Sequence, residues 1–187
     1  MPSIYKRATD AEHQILNELI LDHYKDINAV GVSFDIIFAY AGENDAGEKI
    51  GPALKERGYQ CNATCGIVNL KNRVMGLADA EIILDGDTWE MLDDLKKKAI
   101  IDHELYHFIV AKNVQGELIL DTHGRPKLKM RQHDVQVGWF AEIAARHGNN
   151  SAEVEQAAQV VQRFAQSIFP FLGQQPLAIE PAKKGAK

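Results

Sequence analysis

Cysteine is scarce in this chain: Cys61 and Cys65 are the only two among 187 residues. Two thiols cannot build the disulfide framework of a small secreted domain, and a closed structural zinc site wants four ligands. The pair, spaced C-x-x-x-C, is expected to be reduced. Long apolar runs are missing too, so nothing is predicted to cross a bilayer. Met1-Pro2-Ser3 leads into a polar stretch without the pattern of a secretion signal, and a cytoplasmic protein is expected. There is no basic excess. A net charge of −5 argues against a broad nucleic-acid footprint. Lys127, Lys129 and Arg131 do alternate along one segment, but that is the pattern of a strand's solvent face.

What remains is 45% hydrophobic and 25% charged, which excludes a disordered chain and suits a globular one. The length is enough for one real core. A single domain is expected over residues 1–170. Residues 171–187, ending in Lys183-Lys184-Gly185-Ala186-Lys187, read as a polar, disordered tail.

The pattern along the chain alternates helix and strand signals. Thr9-Asp10-Ala11-Glu12 is a capping box, opening a helix with Ile15, Leu16, Leu19, Ile20 and Ile27 at helical spacing. Val32 to Tyr40 alternates as a strand, Ala41 to Gly58 reads mostly as loop, and Tyr59 to Leu70 can carry a second strand. Ala80 to Leu84 is a short strand. Trp89 to Val110 reads as one helix, with Asp87 and Glu90 as its capping box and a stripe of Leu92, Leu95, Ala99, His103, Tyr106 and Val110. Glu117 to Asp121 and Pro126 to Met130 flank His123-Gly124 as a hairpin. Val135 to His147 reads as a helix with Trp139, Phe140 and Ile143 inward, ended by Gly148. Ser151 caps a last helix that Pro170 stops. The order predicts an α+β fold, with a small antiparallel or mixed sheet packed against one central helix and further helices at the C-terminal end.

That central helix carries the chemistry. His103-Glu104-Leu105-Tyr106-His107 is an H-E-x-x-H motif. Residues four apart share a helix face, so the two imidazoles can grip one metal ion. Glu104 is set off from them, within reach of a water on that ion. This is the arrangement of a zinc hydrolase, in which zinc lowers the pKa of bound water and a carboxylate takes its proton. Such a site needs a third ligand and an open position. The chain has seven histidines, and none follows His107 at the spacing of a compact three-ligand motif. His133, placed where a strand-like segment gives way to a helix, is the leading candidate. Glu142, inside the following helix, is its competitor, with His123 and His147 behind. Asp102 and Asp134 adjoin proposed ligands and are candidates for orienting them. Tyr40, His123 and Arg131 are candidates for stabilising an oxyanion.

Several separated segments resemble one family. Ala80-Glu81-Ile82-Ile83-Leu84 followed by Trp89, Ile101 to His107, Gly124-Arg125-Pro126-Lys127-Leu128-Lys129 and His133-Asp134-Val135 look, in that order, like the phage metallopeptidase family. The resemblance covers Thr9 to Gly148. It implies a zincin-like domain, encoded by a phage or prophage and working in a bacterial cell. The chain also looks remotely like the SprT-type proteases, in which a later His completes the site. Tyr106 departs from the small residue or Cys expected there, though it is not a ligand position. The expected function is a zinc metallopeptidase holding one ion through His103, His107 and His133, with Glu104 as general base and a peptide or protein as substrate. A metal-stabilised binding protein without turnover, acting on a host partner, is the alternative; a hydrolase of cell-wall amides is disfavoured by the missing export signal.

Overall fold

Local signals settle the first elements. In the computed structural model, which describes residues 2–133 and 141–168, the Thr9 hydroxyl and the Glu12 carboxylate close the predicted capping box. Ahead of it runs a strand that the sequence reading did not anticipate, β1 (Pro2–Arg7). Then come α1 (Asp10–His23), α2 (Lys25–Val30) and β2 (Phe34–Ala41). A small hairpin, β3 (Lys55–Glu56) with β4 (Tyr59–Gln60), precedes β5 (Ala63–Ile67), α3 (Leu70–Val74) and β6 (Ala80–Asp85). The chain continues through α4 (Gly86–Trp89), α5 (Asp94–Tyr106), β7 (Phe108–Val110), β8 (Leu128–Met130), α6 (Ala141–His147) and α7 (Ala152–Ile168). The architecture is mixed α+β, as expected.

The chain forms two compact units, Met1–Gln132 and His133–Lys187. The first is built on a four-stranded sheet in the order β1-β2-β6-β5. β2 and β6 run parallel, Ile36 beside Ile82 and Phe38 beside Leu84, while β1 and β5 join antiparallel at the two edges. Ile36, Ile82 and Leu84 from the sheet, Leu16, Leu19 and Ile20 from α1, and Ile101 and Leu105 from α5 make one buried cluster. Each such side chain contributes roughly 1.5–3 kcal/mol by leaving water. Phe108 joins them, edge-on to Phe34 at 5.3 Å, and so anchors β7 beneath the sheet. In the second unit, Ser151 Oγ accepts from the Val154 N–H and caps α7 as predicted. The expected inward residues Trp139 and Phe140, the Ile143 side chain, and residues 171–187 lie outside the described residues.

The helix expected from Trp89 to Val110 is broken in two and cut short. Asp85, not Asp87, caps α4, accepting from the N–H groups of Asp87 and Thr88. The Asp87 carboxylate turns away to the Ala41 N–H and the Lys49 ammonium. Asp93 then caps α5 afresh through the Lys96 N–H. At the far end Phe108-Ile109-Val110 leaves the helix to pair with β8, as suits an aromatic and β-branched run. The buried stripe of α5 also differs from the predicted one. Leu95 is 82% exposed and Tyr106 53%, whereas Ile101, Glu104 and Leu105 face inward.

Between β7 and β8 the chain makes two turns. The predicted hairpin around His123-Gly124 is present as a bridge between Leu120 and Pro126, with Gly124 at φ 75°. The Asp121 carboxylate accepts from the N–H groups of His123 and Arg125. Arg125 then reaches back to Asp79, just ahead of β6, at 2.8 Å. Asp79 also receives Arg73 at 2.8 Å and the backbone N–H and hydroxyl of Ser33 at the start of β2. Arg73 meets Asp121 at 3.1 Å. This clasp ties the Gly124-Arg125-Pro126 turn to the roots of both central strands.

Burial alone would raise the Asp79 pKa; hydrogen bonds from Ser33 and Arg73 and the charge of Arg125 outweigh it and hold the carboxyl below its usual value. A depressed folded-state pKa gives stability that is present above the unfolded value of about 3.9 and lost as pH falls through the folded one. Asp79→Ala, which leaves Arg73 without its closest partner, should cost about 3–5 kcal/mol in urea unfolding at pH 7. The variant should also show a flatter acid limb below about pH 4 than the parent. A loss under about 1 kcal/mol would mean the clasp is ornamental.

Candidate metal centre

The last turn of α5 sets out the first two imidazoles. His103 lies within the helix, and His107 caps it with helical backbone angles, its N–H still reaching the Glu104 carbonyl. Helical spacing therefore holds across the motif, and the two rings stand 5.1 Å apart, nearly edge to face.

The third imidazole arrives through the β7–β8 pairing. One step past the Phe108–Met130 rung, the Arg131 N–H donates to the His107 carbonyl at 2.6 Å, and the His107 Nδ1 meets the Arg131 carbonyl at 2.7 Å. A carbonyl can only accept, so Nδ1 carries the proton and donates it. The lone pair of His107 is then on Nε2, the atom a metal needs. Two residues further on, His133 completes the group: the ligating atoms of His103, His107 and His133 all lie within 4.8 Å of one another. A tetrahedral ion with nitrogens at about 2.0–2.1 Å places its donors roughly 3.3 Å apart, a small rotamer adjustment from this spacing. Three neutral nitrogen donors fit one divalent ion and leave a coordination position open.

Glu104, the intervening acid, is buried at 7% exposure while His103 and His133 are exposed. From the sheet, Cys65 on β5 lies near enough that burial, then the Glu104 charge, pushes its thiol pKa well up. On the opposite side of α5's last turn, the Tyr24 hydroxyl reaches the Asp102 carboxylate and carbonyl. Burial, followed by the Asp102 contact, pushes the Tyr24 pKa well up and keeps it a donor. The Arg131 guanidinium stacks over the Tyr106 ring at 3.9 Å.

One family model matches the span that carries these groups. The phage metallopeptidase model covers residues 4–168. The chain belongs to that family. No curated protein and no solved structure matches it. As a phage metallopeptidase with this trio, it is an enzyme of the metal-dependent hydrolase type. No helix among the described residues is long and apolar enough to cross a membrane.

The other sequence candidates fall elsewhere. His123 sits exposed in the Asp121–Gly124 turn and is not part of the trio, and His147 ends α6. The Glu142 side chain and Asp134 lie outside the described residues. Tyr40 lines a cavity of about 280 Å³ with Lys6, Glu12 and Trp89, whose lining does not include the trio. Two contributors have no signal in the sequence pattern: Tyr24 and the Arg131 backbone.

One divalent ion per chain is the expected stoichiometry in elemental analysis. His133→Ala should weaken that ion's binding at least about tenfold, the scale on which loss of even a supporting partner is felt. His123→Ala should leave it unchanged. Equal affinities in the two variants would remove His133 from the site.

Proposed function

We propose that this phage metallopeptidase hydrolyses peptide bonds with one zinc ion held by His103, His107 and His133 and with Glu104 as general base. The observation that supports the reading best is the gathering of His103, His107 and His133, with the buried Glu104 next to His103 on α5. An all-imidazole donor set with an open position suits zinc, where carboxylate-rich sets would suit magnesium or calcium. Zinc bound there supplies a water of lowered pKa and a Lewis acid for the substrate carbonyl. The remaining work falls to the chain's own groups. Glu104 accepts a proton from the attacking water and later passes it to the leaving amine. The His107 Nδ1–H, pointed at the Arg131 carbonyl, keeps its imidazole in the ligating tautomer and raises its basicity.

A peptide substrate is supported by the sheet. β5 pairs with one strand, β6, while α5 and β8 lie against it. An edge strand is where an extended peptide can add to a sheet, and this one is beside the helix that carries the acid.

Glu104→Gln tests the mechanism. The amide still fits and can hydrogen-bond water but cannot take its proton. The variant should keep its zinc and its melting temperature while losing about 10²–10⁴-fold in peptide hydrolysis. Activity near the parent's in a zinc-loaded Glu104→Gln protein would sink the assignment of the base.

A further inference from the structure

Lys127, Lys129 and Arg131 alternate along the segment that leads to His133. Lys127 and Lys129 stand exposed on either side of the buried Leu128, as a strand's solvent face requires. Arg131 departs from them. Its guanidinium lies over the Tyr106 ring, 3.9 Å from the centroid. Both members of this stack adjoin the trio. Tyr106 immediately precedes His107 and shares a helix face with His103, one turn back. The Arg131 backbone is tied to His107 by two hydrogen bonds. Among the described residues no carboxylate pairs with Arg131, whereas Arg73 and Arg125 of the clasp each meet Asp79 at 2.8 Å.

We infer that Arg131 is a specificity-determining residue: its guanidinium binds a carboxylate of the peptide substrate beside the bond to be cut. The inference rests on the peptidase reading of the trio. Its basis is the geometry of a stacked arginine. A guanidinium laid on an aromatic face is held there by the ring quadrupole, while its N–H groups, which lie in its own plane, stay available at the edge. Those donors match the two oxygens of a carboxylate. Stacking also fixes much of a long side chain before any ligand arrives, so less freedom is lost on binding. A lysine in this place would be a mobile point charge. Lys127 and Lys129 add positive charge along the same segment, which favours an acidic peptide. The carboxylate can come from a glutamate or aspartate side chain or from the peptide's own C-terminus.

The test measures binding without turnover, in full-length, zinc-loaded Glu104→Gln protein. The probes are three fluorescent glycine-alanine peptides: one with central glutamates and an amidated C-terminus, one with glutamines in their place, and the glutamine peptide with a free C-terminal carboxylate. The first or the third should bind about tenfold tighter than the second, the scale of one hydrogen-bonded charge pair. Which of them does so identifies the source of the carboxylate. Arg131→Gln should erase the preference while zinc content and melting temperature hold, because the contacts to His107 use only the Arg131 backbone. Tyr106→Phe, which retains the ring face, should keep the preference, and Tyr106→Ala should weaken it. Equal binding of the three peptides overturns the inference, as does a preference that survives Arg131→Gln or is untouched by Tyr106→Ala. A loss of preference that tracks lost zinc or lost folded protein overturns it too. So does tighter, Arg131-dependent binding of a single-stranded oligonucleotide, which would make the occupant a phosphate backbone. If the parent cleaves the three peptides without regard to charge, the hydrolysis reading stands and this one fails. If it cleaves none of them while the Arg131-dependent preference is present, the carboxylate site stands and it is the peptidase reading that fails.

Discussion

Two hydrogen bonds between His107 and Arg131 govern the site. One runs from the Arg131 N–H to the His107 carbonyl, the other from the His107 imidazole to the Arg131 carbonyl. The first extends the β7–β8 ladder up to the helix end. The second fixes which ring nitrogen is available to an ion. Together they set the path of residues 131–133 relative to the last turn of α5, and with it the position of His133. Without them His103 and His107 would be a pair on a helix and the third donor would be left to chance.

Much of this follows from the residues alone. Thr9 and Glu12 are three apart and decide their own geometry, so the capping box was legible. The H-E-x-x-H spacing needs only helical periodicity to bring two imidazoles together. The sequence also singles out His133, whose ligating atom gathers with those of His103 and His107. Other features depend on partners far along the chain. Phe108-Ile109-Val110 continues a helical pattern by periodicity, yet β8, about twenty residues later, claims it as a strand. The inward face of α5 was misjudged for a related reason. Leu95 looks like core in a periodic stripe, but the sheet lies against Ile101 and Leu105 instead, and Glu104 turns inward with them. Arg125 is explained only by Asp79, in a segment the linear pattern does not connect to it.

The scaffold and the site use charge in different ways. At the roots of β2 and β6, Asp79 and Arg73 are buried as a full ion pair, with Arg125 and Asp121 added at their margins. Such an arrangement selects one geometry for a long excursion between two short strands more than it adds stability. Near Glu104 the group from the sheet is the Cys65 thiol, whose pKa burial and then the Glu104 charge push up, so it stays neutral.

The exposure of the imidazoles bears on how the protein is made. None of the three histidines belongs to the apolar cluster, which is closed by side chains of α1, α5 and the sheet. His103 and His133 face water, His107 is half-buried and Glu104 is interior. The hydrophobic interior can therefore assemble before any ion arrives, unlike a zinc finger, whose chain has no fold without its metal. An ion held by this trio would then load late, onto a chain already folded, and would be open to exchange with whatever ion is abundant around it.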